Sequence, residues 1–66
     1  MTLILTPNMS DADGFYQDLI TAHDGLSKAQ SDRLTARLVL ILANQIGARD
    51  VLKQALCVAA EEVGAP

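Results

Sequence analysis

Eleven consecutive residues, Leu38 to Ala48, carry no charge, and the first six of them, "LVLILA", are all apolar. This run constrains the fold of the 66-residue chain more than any other feature. It is too short to cross a bilayer, which takes about 20 apolar residues. It is also the second half of a longer helical pattern. Ser27 followed by Gln30 has the Ser-x-x-Gln form of a capping box, and Gly47 stands where a left-handed C-cap belongs. The spacing predicts a helix over Lys28 to Ile46. At about 100° per residue, its polar residues Gln30, Arg33, Arg37 and Asn44 gather in one narrow strip. Apolar residues fill most of the remaining circumference, and a helix apolar nearly all round must be buried nearly all round.

Two flanking helices are expected. Pro7-Asn8 breaks an irregular N-terminal segment over 1–9. Ser10 and Asp11 then offer N-cap oxygens to a first helix, and Asp13 adds negative charge to its first turn. Phe15, Leu19, His23 and Leu26 recur at helical spacing, Tyr16 pairs with Ile20, and Gly25 closes the helix. The short connection to Ser27 makes the first two helices antiparallel neighbours. A third helix follows Gly47, with Ala48, Val51, Leu52, Ala55, Leu56 and Ala59 on one face, and frays into a tail over 64–66. The expected architecture is all-α. It is one small domain over 1–66, a helical hairpin plus an N-terminal helix, with oligomerisation completing its core.

That last expectation comes from covering the middle helix. Two amphipathic helices, each with a stripe of about 100°, cover roughly half to two-thirds of it. A chain this small buries only about 60% of its unfolded surface and needs help to be stable. Cys57 is the only cysteine, so no internal disulfide forms, and its lone thiol suits a reducing cytoplasm. His23 is the only histidine, and no Cys/His cluster has metal-ligand spacing. Association is the help that remains. The candidate interface is Leu34, Leu38, Ile41, Leu42, Gln45 and Ile46. The buried amide of Gln45 would need a partner, which a symmetry mate could supply. The expected partner is a second copy of the chain or a larger protein subunit.

Other chemistry is weaker. His23 beside Asp24 has the residue types of a base and its orienting carboxylate, but neighbours on a helix point apart. A packing histidine is the better reading. Cys57, near the apolar face of the third helix, reads as a small hydrophobe. "SDADG" lacks the downstream Glu of a calcium loop. Arg33 and Arg37, one turn apart, could hold an anion, but salt bridges to Asp13, Asp18 or Asp24 are preferred, within or between subunits. No cofactor, metal or catalytic site is expected.

"LANQIGARDVLKQAL" invites a helix-turn-helix reading, and with it a small nucleic-acid-binding transcriptional regulator as the alternative function. The pattern places Lys53 where a buried aliphatic belongs. The net charge of −3 also argues against nucleic acid and against an anionic membrane. The N-terminus has no basic residue before its apolar patch, so no signal peptide is expected.

"DGFYQDLITAHDGLS", "ARLVLILANQIG" and "VLKQAL" together resemble a family of short bacterial proteins known as domain of unknown function 2783. The resemblance runs over about residues 6 to 57, through Pro7-Asn8, Asp13, Phe15-Tyr16, His23, Gly25-Leu26, Leu34 to Gly47 and Val51-Leu52. It implies a non-enzymatic accessory subunit of a larger bacterial enzyme, by context a flavin-dependent aromatic hydroxylase. It carries over no catalytic residue.

Overall fold

A computed structural model describes residues 2–64. Met1 and the tail residues Ala65 and Pro66 lie outside the described residues. Three helices follow one another: α1 (Ala12–His23), α2 (Lys28–Ile46) and α3 (Arg49–Glu62), with no strand among the described residues.

Local chemistry sets each boundary. Asp11 caps α1, its Oδ1 accepting from the Gly14 N–H at 3.0 Å. Gly25, at φ +76°, lets the chain leave α1 in the left-handed region closed to most side chains. The capping box of α2 is complete. Gln30 N–H donates to Ser27 Oγ at 3.2 Å, and Ser27 N–H donates to Gln30 Oε1 at 2.9 Å. Gly47, at φ +78°, ends α2 and returns its N–H to the Ala43 carbonyl at 2.8 Å. Two residues later α3 begins, with no side-chain cap but with Asp50 in its first turn.

The helices do not close on each other. α2 and α3 are joined as tightly as a hairpin requires, yet no two helices share an extended contact. Among the described residues Val51, 3% exposed, is the one buried hydrophobic residue. Its site is made by the N-terminal segment: Thr2, Leu3 and Ile4 meet Ile46 and Val51 around a space of about 330 Å³.

Two global measures follow from this openness. The Cα radius of gyration is 13.5 Å, where a compact domain of this length has about 11 Å and one of twice the length about 14 Å. The accessible surface is 5840 Å², against about 4,000 Å² for a compact monomer of this mass.

Candidate interaction surface

α2 presents two apolar faces. The first looks towards α1. Phe15, Leu19 and Ala22 on α1 and Leu34, Leu38 and Ile41 on α2 line a groove of about 370 Å³, edged by Asp18 and Arg37. Leu34, Leu38 and Leu19 are half-buried there, Phe15 is 41% exposed and Ile41 stands largely in solvent. The second face is the stripe Thr35, Val39, Leu42, Ile46, with the 4-3-4 spacing of a coiled-coil seam. Among these, Val39 is 54% exposed, and Leu42 and Ile46 are also open. Leu40, 69% exposed, stands further round the helix.

The six expected interface residues are thus divided. Leu34, Leu38 and Ile41 belong to the α1 groove, Leu42 and Ile46 to the open stripe. Gln45 is exposed in the single chain, where its amide meets solvent. Val39 and Leu40 were not singled out by sequence. The signal for Val39, the 4-3-4 spacing, is masked because every position from 38 to 43 is apolar, and Leu40 lies off that stripe. α1 carries an open stripe of its own, with Tyr16 64% exposed, Ile20 open and His23 half-buried.

Among the described residues the only ion pair is Lys28–Asp32, at 3.0 Å between well-exposed side chains one turn apart. Neither Arg33 nor Arg37 is paired with another described residue. Arg37 faces Asp18 across the groove without a bond. The expected partners Asp13 and Asp24 likewise form no ion pair among the described residues.

The N-terminal segment forms a second trough on α3, where Leu3 and Leu5 meet Asp50, Lys53, Gln54, Cys57 and Val58 around about 610 Å³. Cys57 is exposed at its edge, so it does not pack as the small hydrophobe expected from its position. Lys53, which a DNA-reading helix would offer to the major groove, shares this trough with Asp50 and two leucines. No group of three His, Cys, Asp or Glu among the described residues is placed to hold a metal ion. No described helix is long and apolar enough to cross a membrane.

These features define a small all-α protein whose apolar side chains stand largely in solvent. The chain belongs to the family described as protein of unknown function (DUF2783), whose model matches residues 3–61. No curated protein and no solved structure is detectably similar to it.

Proposed function

We propose that this chain is a non-enzymatic protein–protein interaction module that works in the bacterial cytoplasm. One observation carries the reading: the apolar half of α2, from Val39 to Leu42, stands open on a folded helix. Soluble monomers rarely expose contiguous apolar patches beyond a few hundred Å², and larger patches mark interaction sites. The Cys57 thiol suits a reducing compartment. As an accessory subunit, the role the family resemblance implies, the chain would act by ordering or covering part of a larger protein. A flavin-dependent hydroxylase is the enzyme that resemblance brings forward.

The test uses the isolated chain. Helicity and binding of the dye ANS, which reports exposed apolar surface, are followed on dilution. A module parted from its partner should bind ANS or lose helicity. A cooperatively melting 7.0 kDa monomer that binds no ANS would overturn the reading.

A further inference from the structure

We infer that the occupant of the open face is a second copy of this chain, its α2 laid antiparallel along the stripe Thr35, Val39, Leu42 and Ile46 as a short two-stranded coiled coil. The inference rests on the interaction-module reading and deepens it. Its first support is the stripe itself. Its 4-3-4 spacing holds the four side chains within about 60° of one another on the helix, and all four are exposed. Beside them Ala29, Ala36 and Ala43 recur every seven residues along one flank. Coiled-coil flanks often carry the charges that select a different chain, and this flank carries none. Arg33 and Arg37 lie about 120° or more from every residue of the stripe and take no part.

Charge at the start of the seam sets the direction and the register. Carried towards the N-terminus, the same spacing reaches Asp32 and Lys28. Parallel copies set each seam residue on itself, Asp32 on Asp32 and Lys28 on Lys28, and like charges in contact oppose association. The helix dipoles oppose it as well. An antiparallel pair centred between Leu40 and Ile41 avoids both. Thr35 of one copy then meets Ile46 of the other, and Val39 meets Leu42, each contact occurring twice about the two-fold axis. Every layer sets a smaller side chain against a larger one. Asp32 and Lys28 fall beyond the paired stretch, where they keep their exposed pair with each other. Sliding one copy by a heptad would instead set Asp32 on Leu42 and bury a carboxylate without a partner.

Area gives the second support. The chain exposes about 1,800 Å² more than a compact monomer of its mass. A specific interface needs about 1,000 Å² in all, so each copy has to cover about 500 Å². Val39, Leu42 and Ile46, at 54%, 47% and 40% exposure, supply the apolar centre of that area. Ile46 already meets Leu3, Ile4 and Val51 in its own chain. The residue the pairing brings to it is Thr35, the smallest of the stripe.

Sedimentation equilibrium of the full chain and disulfide trapping test this. Wild type should run at twice 7.0 kDa. Val39→Glu should weaken association by about a hundredfold or more, because both copies bring a carboxylate to the middle of the seam. Leu40→Asp, about 100° round the helix from Val39, should associate like wild type. For trapping, chains with Cys57→Ser carry either Thr35→Cys or Ile46→Cys. The antiparallel pair brings these two thiols to one level, while two copies of the same thiol stand about 17 Å apart along the axis. The mixture should cross-link and each chain alone should not, since cysteines whose Cα atoms are more than about 7 Å apart cannot bridge. Self-linking of the Thr35→Cys chain overturns the antiparallel direction. A dimer that traps neither way, or that withstands Val39→Glu, overturns pairing along this stripe. A wild-type monomer that binds ANS overturns the dimer and leaves the interaction-module reading standing. A closed monomer that binds none overturns both.

Discussion

The capping box of α2 allows a worked prediction. In Ser27→Ala the Gln30 N–H loses its Oγ acceptor, and the Gln30 side chain loses the partner that holds it in place. Replacing a serine N-cap by alanine costs about 1 kcal/mol. The box lies at the surface, so water compensates part of the loss and no larger value is expected. For 66 residues the unfolding entropy is about 0.14 kcal/mol/K, so the melting temperature should fall by about 7 °C. In a dimer both boxes are lost against twice the entropy, so the shift is the same. Gln30→Ala should remove less, because the Ser27 hydroxyl still caps the N–H of residue 30. The double variant should cost less than the sum of the two single losses, since each side chain supports the other. Circular dichroism melts at matched chain concentration measure all three. A Ser27→Ala melt within about 2 °C of wild type would refute the argument, since a cap worth so little could not set the start of α2.

Three further predictions follow from single sites. Gly47→Ala should destabilise by about 1–2 kcal/mol in the same melts, because its φ of +78° strains any side chain while no other atom crowds the new Cβ closer than 4.0 Å. Lys28→Ala should change stability by no more than about 0.5 kcal/mol, since its pair with Asp32 is solvent-exposed; a larger loss in urea titration would mean the lysine has a partner beyond Asp32. Asp18→Asn and Arg37→Gln, measured singly and together, should show a coupling under about 0.5 kcal/mol that vanishes in high salt. Stabilisation by phosphate that disappears in Arg37→Gln would instead assign the arginines to an anion.

Helix boundaries were legible because they depend on neighbours in sequence. Ser27 with Gln30, and Gly47 after Ile46, each act over three or four residues, so α2 runs from Lys28 to Ile46 as its pattern predicts. Asp11 and Gly25 delimit α1 for the same reason. What α2 faces was not legible. A helical wheel identifies a face by contrast between apolar and polar positions, and from Leu38 to Ala43 there is no contrast to use. The burial of Val51 was hidden differently, since it depends on Leu3 and Ile4 in a segment with no helical period. The arginines show a third limit. Opposite charges in a sequence suggest a pair, but Arg37 and Asp18 end on the two edges of one groove with no bond between them.

The open arrangement also determines how any perturbation must be interpreted. α1 has 12 residues and spans about 18 Å, whereas α2 has 19 and spans about 28 Å, so α1 cannot shield α2 along its length. The αL turn at Gly47 leads into α3 after two residues, and α3 takes its cover from the N-terminal segment. Little apolar surface is then removed from water within one chain, and ordering the helices costs about 1–2 kcal/mol per residue in backbone entropy. On the proposed interaction-module reading, covering of the open face supplies the difference, which couples folding to association. Under that coupling the melting temperature rises with chain concentration. A cap variant such as Ser27→Ala alters the folded helix itself, so its melts shift down at every concentration with the same dependence. A variant on the open stripe such as Val39→Glu alters the covered state, so it should abolish the dependence as well as lower the melt. Melts over a hundredfold range of concentration separate the two classes. Concentration-independent melting in the wild type would place the whole stability within one chain and contradict the coupling.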